Sequence, residues 1–488
     1  MFHPSTICTT KREIFERVKG NTSQLQSFCP TSRMPGLPEV SSGATRSPPV
    51  SSVQSSPNKN TKESSPMEAN LIKPESSSYT PSEYDMRNYY ERLLPFKSVF
   101  EWLNHSPVPQ TDFTMREFAF EFKSGAYQRY NSFVSAKEFK DTVVRVTPTR
   151  FEIGAVYSIN PSKRKTVSKN MMKPIEKEFV VDIDLTDYDD IRTCCSKTGI
   201  CHKCWKFINV AIEIVDTALR DDFGFEHMIW VFSGRRGAHC WVSDQRARSM
   251  NDTLRKAVID YLDVLNLKGG HKNRNLTFRR PLHPHIERST GILLKSFKEV
   301  ILEEQDPWRD DRRAIEDLAK KIPDAATRDS LLKLWTEKPD RSSLEKWKDI
   351  DTQAKKGFAV RDWKTDIVIL SMYPRLDIEV SKLMGHLLKS PFCIHPKTGN
   401  VCVPFDPRVK EFWPDESPNL RSLQSELEEW DVNHPGKSVK HEWEKTSLNE
   451  YISMFNNFKK KLNEEELQSR KRNRDQSVDQ DDKSLLEF

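Results

Sequence analysis

The stretch EFVVDIDLTDYDD, residues 178–190, places two aspartates, Asp182 and Asp184, inside a run of valine, isoleucine and leucine. The apolar residues predict a β-strand over 179–185, and because alternate side chains of a strand share a face, both carboxylates should point the same way. Two neighbouring negative charges on a mostly buried strand are costly unless cations neutralise them. Carboxylate oxygens suit divalent ions such as Mg²⁺, which in turn bind substrate phosphates, so the pair predicts a metal-dependent phosphate site.

The same stretch allows a simpler interpretation, which is an exposed edge strand with two solvated aspartates. Apolar residues on both sides of the pair favour a central strand instead. We expect the remaining acidic residues of the stretch to be solvated turn residues or helix caps: Asp187, Asp189 and Asp190.

The composition limits the class of protein. A chain of 488 residues with 36% hydrophobic residues can bury a sizeable core in several domains. It contains no run of about 18 apolar residues and no secretory signal pattern at its start, so we expect neither a membrane span nor export. The net charge of +6 is compatible with a local basic groove but does not by itself establish a nucleic-acid partner.

The pattern along the chain predicts five segments. Residues 1–84 are rich in serine and proline and are predicted to be disordered, with a mitochondrial presequence as a weaker alternative. Residues 85–264 alternate between β-rich and helical patterns, which indicates an α/β or α+β core. The charged, leucine-punctuated residues 265–373 predict an inserted helical subdomain, after which 374–462 return to the β/α pattern. Residues 463–488 are predicted to be a charged disordered tail.

The sequence FSGRRGAHCW, residues 232–241, follows a predicted strand, and its glycines permit a tight turn with close backbone approach. Arg235 and Arg236 offer planar guanidinium groups suited to phosphate oxygens, and Ser233 adds a hydroxyl donor. His239 lies on the strand that leaves the turn and could face the same site. An exposed basic hairpin with a core histidine is the alternative interpretation, but the nearby carboxylate pair favours a functional turn.

Nine cysteines in so long a chain indicate metal ligation in a reducing compartment rather than a disulfide framework. Four of them are close together in sequence: Cys194, Cys195, Cys201 and Cys204. They can surround one tetrahedral Zn²⁺ without leaving a position for a catalytic water, which predicts a structural zinc knob. A histidine ligand from His202 or His227, or reduced thiols without metal, are alternatives. Three other cysteines lie in apolar runs and are expected in the core: Cys240, Cys393 and Cys402.

Four motifs together resemble the catalytic small subunit of eukaryotic DNA primase: DIDLTDYDD, the cysteine cluster, SGRRGAHCW, and YPRLDIEVSKLMGHLLKSPFCIHPKTG. The resemblance covers about residues 85–460, and the first 84 residues have no recognised counterpart. It implies an α/β (α+β) fold, namely a mixed-sheet primase catalytic core with a structural zinc knob over 194–204 and an inserted all-helical subdomain.

By this resemblance, the metal-binding carboxylates are Asp182, Asp184 and Asp377. Composition alone does not select Asp377 over Glu379 or Asp216. The resemblance assigns further residues to nucleotide binding: Glu117, Arg129, Ser233, Arg235, Arg236, His239, His386, Lys389 and His395.

Simpler roles remain open for some of these residues. Glu117 and Arg129 could form a surface ion pair, and His386 could cap or pack on its own helix. Lys389 and His395 lie in a proline- and glycine-containing loop that suits a phosphate or ribose contact.

The resemblance implies DNA-templated synthesis of short RNA primers on single-stranded DNA from ribonucleoside triphosphates, for replication initiation and lagging-strand synthesis. The implied reaction is nucleotidyl transfer with two catalytic Mg²⁺ or Mn²⁺ ions, and Zn²⁺ has a structural role. The implied partners are the primase large subunit and the DNA polymerase alpha complex, without a membrane. The implied location is the nucleus, and RKRNR at 470–474 is either an import signal or a solvated basic run.

Two other functions are compatible with parts of the pattern. A primase-polymerase acting in repair or damage bypass would share the carboxylates and differ in the sugar that it incorporates. A catalytically silent nucleic-acid-binding scaffold would use the zinc knob and the basic turn, but three intact aspartates argue against it.

Overall fold

The computed structural model describes residues 79–168, 170–265, 277–353 and 358–485. Most of the segment 1–84, which the sequence predicts to be disordered, therefore lies outside the described residues. The helical structure begins slightly earlier than predicted, because the Ser82 hydroxyl caps the first helix by accepting a hydrogen bond of 3.1 Å from the amide of Asp85.

The described residues form two β-sheets. The strands are β1 (Arg116–Glu121), β2 (Tyr127–Asn131), β3 (Arg150–Tyr157), β4 (Pro174–Glu176), β5 (Phe179–Asp184), β6 (Met228–Phe232), β7 (Gly237–Val242), β8 (Leu388–Lys389) and β9 (Pro404–Phe405). The first sheet has the order β2-β1-β3-β4, with β8 also paired to β3, and the second has the order β5-β7-β6-β9.

Every strand pair in the described residues is antiparallel. The α/β (α+β) class is therefore confirmed, but the mixed sheet is wrong. Tight hairpins join β1 to β2 and β6 to β7, and a hairpin can only produce antiparallel neighbours.

The helices that precede the helical insertion are α1 (Glu83–Arg92), α2 (Phe96–Leu103), α3 (Thr111–Thr114), α4 (Ala136–Val146), α5 (His202–Asp221), α6 (Gln245–Arg248) and α7 (Asp252–Leu262). They are followed by α8 (Pro284–Phe297), α9 (Arg312–Lys320), α10 (Ala325–Glu337), α11 (Ser343–Gln353), α12 (Phe358–Met372), α13 (Ile378–Lys382), α14 (Leu420–Asn433) and α15 (Leu448–Leu485). Shorter helical segments are the 3₁₀ turns Pro161–Lys165, Leu185–Tyr188, Pro414–Glu416 and Glu442–Lys445, and the π-helical Lys298–Gln305. Across the described ranges, no helix is both long and apolar enough to cross a membrane.

Helices α8 to α12 occupy the region for which the sequence predicts a helical subdomain. Strands β8 and β9 follow these helices, yet they pair with β3 and β6, which precede them. Both sheets are therefore assembled from chain on the two sides of the helical insertion, and this brings distant motifs together.

An aromatic cluster joins helices α2 and α15 to the second sheet. The Trp102 ring of α2 lies 5.3 Å from that of Trp241 on β7 and 5.5 Å from that of Phe455 on α15. The Trp102 indole also donates a 2.9 Å hydrogen bond to the Ser243 hydroxyl, so its polar atom is satisfied in the core. On another part of this sheet, Trp205 of α5 packs against Phe232.

The aspartate-bearing strand β5 is the end strand of its sheet, so the prediction of a central strand is wrong. Its apolar residues are nevertheless buried, because other parts of the chain cover its outer edge. The amide of Asp377 donates a 3.0 Å hydrogen bond to the carbonyl of Asp182, and the Arg255 guanidinium donates to the carbonyl of Glu178 at 3.1 Å. The carboxylates consequently face a cleft rather than open solvent.

The last helix continues through the region predicted to be a disordered tail from residue 463. Leu462, Asn463 and Glu466 are buried, and Glu466 accepts a 2.8 Å hydrogen bond from buried Arg248. The boundary at 462 is therefore wrong, because tertiary packing extends past it and the following glutamates, lysines and arginines are good helix formers.

Candidate active site

Strand pairing places the two most distinctive motifs side by side. In the β5–β7 ladder, Asp182 lies opposite His239 and Asp184 lies opposite Gly237. Residues directly opposite in an antiparallel pair project from the same face, so the aspartates and His239 share one side of the sheet. The His239 Nε2 atom is 3.5 Å from an Asp182 carboxylate oxygen. Strong burial, together with the charge of Lys389, lowers the pKa of His239 to about 3, which keeps the ring neutral.

Two glycines allow this close approach. A Cβ atom at Gly237 would lie 2.3 Å from the carbonyl oxygen of Ile183 on the neighbouring strand. Gly234 has a positive φ of 84°, and a Cβ there would lie 2.6 Å from the His395 Cβ. The turn is closed by Ser233, whose hydroxyl accepts a 3.0 Å hydrogen bond from the Gly237 amide.

We therefore expect Gly237→Ala to destabilise the fold by about 3 kcal/mol or more, because the added methyl group meets rigid backbone. Urea unfolding would measure the loss. The matched control is Gly291→Ala on α8, where no atom lies within 4 Å of the added Cβ. That variant should be as stable as the unmodified protein or slightly more stable. Equal stability of the two variants would contradict the strand contact.

Asp184 is held in one orientation by its neighbours. The Arg236 Nε atom donates to both carboxylate oxygens, at 2.8 and 3.0 Å, and the Thr186 amide and hydroxyl donate at 2.8 and 2.7 Å. Burial alone would raise the pKa of Asp184, but these hydrogen bonds hold it below its usual range. Asp184 therefore stays ionised.

Asp182 is in the opposite electrostatic situation. Its side chain is only 20% exposed, and burial, followed by the charges of Asp184 and Asp377, raises its pKa to about 7. The environment therefore disfavours a third negative charge in the absence of a cation. Opposite pKa shifts on two neighbouring carboxylates are typical of functional sites.

Asp377 reaches this site from the other side of the helical insertion. Asp377 is the N-cap residue of α13, and its backbone amide donates to the Asp182 carbonyl on β5. Its side chain lines the same cleft as the aspartate pair. The two other acidic candidates lie elsewhere. Glu379 is exposed and pairs with Lys382, whereas Asp216 on α5 accepts hydrogen bonds from Arg220 and Trp230.

The cleft has a volume of about 340 Å³ and is lined by most of the predicted site residues. Besides the three aspartates, these residues line it: Ser233, Arg235, Arg236, His239, His386, Lys389 and His395. Burial and the charge of Lys389 lower the pKa of His395 to about 3, so His395 is also neutral. The buried Lys389 ammonium donates to the Ser233 carbonyl, which fixes the arginine turn against β8.

Glu117 and Arg129 do not line this cleft. They form a two-pronged ion pair, with Arg129 Nε donating to one Glu117 oxygen at 2.8 Å and Nη2 to the other at 3.0 Å. Arg129 also donates to the Gly385 carbonyl at 3.2 Å, which places the pair directly behind His386. Their assignment to nucleotide binding stays a prediction.

The cleft also contains two charged residues that were not predicted from the sequence, Arg150 and Glu152 on β3. The β3–β8 ladder places Glu152 opposite Lys389, and Arg150 lies 3.1 Å from Glu152. The available signal was the same as for the aspartates: charged residues in an otherwise apolar strand, RFEIGAVY.

The acidic residues after β5 make more hydrogen bonds and ion pairs than expected for solvated turn residues. Asp189 accepts a 2.6 Å hydrogen bond from Arg192, and Asp190 pairs with the buried Arg375. The carbonyl of Asp187 also accepts a 2.6 Å hydrogen bond from Arg375. These contacts tie the turn after β5 to the segment that precedes Asp377.

The four clustered cysteines form a candidate metal centre. Their sulfur atoms all lie within 4.8 Å of one another, and those of Cys201 and Cys204 are 3.8 Å apart. Sulfurs bound to one zinc ion at about 2.3 Å lie roughly 3.8 Å apart in a tetrahedron, so the arrangement fits a zinc ion. His202 and His227 are engaged elsewhere, beside Asp415 and Glu465 respectively.

Two polar side chains orient the cysteine cluster. Gln305, the last residue of the π-helical segment, donates to the Cys194 sulfur at 3.4 Å and accepts from the Thr193 amide at 2.7 Å. Arg192 is buried and donates to the carbonyls of Lys197 and Gly199, both at 2.9 Å. The other predicted core cysteines are buried, which confirms that prediction: Cys240, Cys393 and Cys402.

Comparison with known proteins agrees with this geometry. A family model described as DNA primase small subunit matches residues 181–407, which contain the three aspartates, the arginine turn and the four cysteines. The DNA primase small subunit of Saccharomyces cerevisiae is 47% identical over 418 residues, covering 84% of this chain and 98% of its own length. The chain belongs to the DNA primase small-subunit family.

Further members of the family are also similar over most of their length. The DNA primase small subunit of Schizosaccharomyces pombe is 44% identical, covering 77% of this chain and 89% of its own length. That of Drosophila melanogaster is 34% identical, covering 77% and 90% respectively. The DNA primase small subunit is the catalytic nucleotidyltransferase that synthesises RNA primers, so the chain is an enzyme of this class, and neither the repair polymerase nor the silent scaffold is favoured.

Proposed function

We propose that the cleft carries out RNA primer synthesis by nucleotidyl transfer between two ribonucleoside triphosphates on a single-stranded DNA template. In this reaction the 3′-hydroxyl oxygen of one nucleotide forms a bond to the α-phosphorus of the next, the bond to the β-phosphate breaks, and pyrophosphate leaves. The observation that supports the proposal most strongly is the convergence of Asp182, Asp184 and Asp377 on one cleft bordered by cationic side chains.

The three aspartates are the residues that would hold two divalent cations, Mg²⁺ or Mn²⁺. When bound, these ions supply activation of the attacking hydroxyl and neutralisation of the leaving pyrophosphate. The chemistry of the donors fits this role, because hard cations prefer carboxylate oxygens, and burial together with the charges of Asp184 and Asp377 raises the pKa of Asp182, which is a repulsion that bound cations would offset.

The cationic side chains divide between two tasks. Arg236 donates its Nε hydrogen bonds to Asp184 and so positions a metal-binding carboxylate. Arg235 is half-buried in the same cleft and is available for the triphosphate, and Lys389, which contacts the arginine turn at the Ser233 carbonyl, adds a second positive charge to the cleft. Fixed positive charges of this kind orient the triphosphate and stabilise negative charge that develops in the transition state.

This division predicts different kinetic effects for the two arginines. Arg235→Ala should raise KM for the nucleotide by roughly tenfold, because it removes a phosphate contact. Arg236→Ala should mainly lower kcat, because Asp184 loses the group that orients it. Steady-state primer synthesis measures both constants, with the exposed Arg313→Ala on α9 as control. Identical effects of the two cleft variants would contradict separate roles.

The raised pKa of Asp182 predicts a pH-dependent affinity for cations. Below a pKa of about 7, a proton on Asp182 competes with the metal, so the affinity for Mn²⁺ should fall about tenfold per pH unit. Above that value the affinity should be constant. Titration with Mn²⁺ followed by electron paramagnetic resonance between pH 5.5 and 8.5 tests this, and Asp182→Asn should remove the dependence. Constant Mn²⁺ affinity across the range would show that Asp182 is ionised throughout.

The direct test of the proposed function is an assay with purified protein, single-stranded DNA, ribonucleotides and Mg²⁺ or Mn²⁺. Short RNA products that depend on the template support the proposal, and products containing only deoxynucleotides contradict it. We further propose a large-subunit partner, association with the DNA polymerase alpha complex, a nuclear location, and zinc as the ion of the cysteine cluster. Family membership supports the large subunit, and the four sulfurs support zinc.

A further inference from the structure

The connection between β3 and β4 carries an unusual concentration of positive charge. Residues 158–173, SINPSKRKTVSKNMMK, contain five lysines and arginines and no acidic residue. We use the name basic ridge for Lys163, Arg164 and Lys165, which belong to one 3₁₀ turn. Within the described ranges, no carboxylate lies within 4.0 Å of any of these three cations. The ridge therefore presents uncompensated positive charge to solvent.

The basic ridge is held in place rather than loosely tethered. Pro161 at its start is buried, and the Asn160 side chain caps the turn by accepting a 2.9 Å hydrogen bond from the Ser162 amide. Asn160 also donates to the Thr114 carbonyl at 2.9 Å and accepts from the Ser132 hydroxyl at 2.7 Å. These contacts anchor the turn to two neighbouring elements, so its cations are presented in a fixed arrangement.

An aromatic ring continues the basic ridge toward the catalytic cleft. Tyr130 on β2 is half-buried, and the Arg164 guanidinium lies 5.7 Å from its ring centroid. Arg129 lies 5.1 Å from the same ring. Tyr130 has a positive φ of 66°, which is rare for a bulky residue, and such strain is found preferentially at functional positions.

Arg129 connects this surface with the cleft. Its Nη2 atom donates to the Gly385 carbonyl at 3.2 Å, and the next residue, His386, lines the cleft. A chain of contacts therefore runs from the cleft through Arg129, whose charge is paired with Glu117, and through Tyr130 to the basic ridge.

We propose that the basic ridge and Tyr130 bind the sugar–phosphate backbone of the nucleic-acid strand that passes through the cleft. The inference rests on the proposed function, because it assigns a binding surface to the template or to the template–primer duplex. Closely spaced cations without acidic partners suit a polyanion with regular phosphates, and such contacts are independent of sequence. The Tyr130 ring contributes by holding the Arg164 guanidinium beside it through a cation–π contact, which orients this charge of the ridge for a phosphate.

The test compares Lys163→Ala/Arg164→Ala/Lys165→Ala with the unmodified protein. The control removes three exposed cations on other elements: Lys348→Ala, Lys437→Ala and Lys440→Ala. Fluorescence anisotropy measures binding to single-stranded oligodeoxythymidylate and to the corresponding DNA annealed to a short RNA, over a series of salt concentrations. A polyglutamate peptide serves as a third ligand. Thermal unfolding verifies that each variant folds.

The ridge variant should bind nucleic acid about tenfold more weakly near 0.1 M salt, with the slope of log K against log salt reduced by about 2, since each lost phosphate contact removes about 0.7 to 0.9. Weaker binding of both nucleic acids identifies the single-stranded template as the ligand. Weaker binding of the annealed ligand alone identifies the duplex.

An unchanged slope, an equal loss in the control variant, or a loss confined to polyglutamate would overturn the proposal. Primer synthesis by the unmodified protein is assayed in parallel. Failure of that synthesis counts against the proposed function, whereas the binding comparison judges the basic ridge alone.

Discussion

The Asp377→Asn protein should lose primer synthesis by roughly 10³-fold or more, which corresponds to about 4 kcal/mol of transition-state stabilisation. Asparagine has nearly the same shape as aspartate, and the backbone hydrogen bond from residue 377 to the Asp182 carbonyl is retained. The substitution therefore removes one negative charge from the cleft while leaving β5 and α13 in place. The expected loss is a loss of cation binding and catalysis, with little effect on the fold.

The neighbouring residue Glu379 provides a matched control. Glu379→Gln removes the same charge two residues further along α13, but this side chain is exposed and pairs with Lys382. We expect Glu379→Gln to retain primer synthesis within about twofold. Template-dependent synthesis, Mn²⁺ affinity and thermal unfolding should be measured for both variants. If Asp377→Asn keeps normal synthesis, the third carboxylate does not belong to the catalytic site.

The local pattern around Asp182 and Asp184 was sufficient to predict the strand and the shared face of the two carboxylates. The β5–β7 register then places His239 on that face, as the spacing in SGRRGAHCW allows. Sequence periodicity could not show that β5 is an end strand, because a strand edge covered by loop and arginine side chains is as buried as a central one. Alternation reports burial of side chains, not the number of neighbouring strands.

The position of Asp377 in the cleft could not be predicted from the local sequence. It is one of 71 acidic residues, and its own neighbours in sequence give no sign that it meets β5. The backbone hydrogen bond to Asp182 spans the whole helical insertion, so the contact is a property of the tertiary fold. Only the resemblance to a family selected this residue. The Glu117–Arg129 ion pair, by contrast, was one of the roles that the sequence left open, although the sequence did not show that Glu117 is buried.

Removal of the proposed zinc ion is expected to have the second large effect. We predict that Cys201→Ser/Cys204→Ser binds no zinc and unfolds at a temperature about 10 °C lower, because structural zinc sites contribute several kcal/mol of folding free energy. Cys201 directly precedes α5, whose buried face packs against the core, so a metal bound by the cluster would fix the start of a central helix. Metal analysis and differential scanning calorimetry measure the two quantities.

Cys240→Ser is the matched control, because this thiol is buried on β7 and lies outside the sulfur cluster. The control should lose some stability but keep its zinc. Hydrogen exchange should locate the effect of zinc loss in the knob and in the π-helical segment, since Gln305 contacts the Cys194 sulfur and the Thr193 amide. Normal zinc content in the double variant would exclude the four-sulfur site. Loss of zinc without faster exchange around Gln305 would show that the metal and the helical insertion are independent.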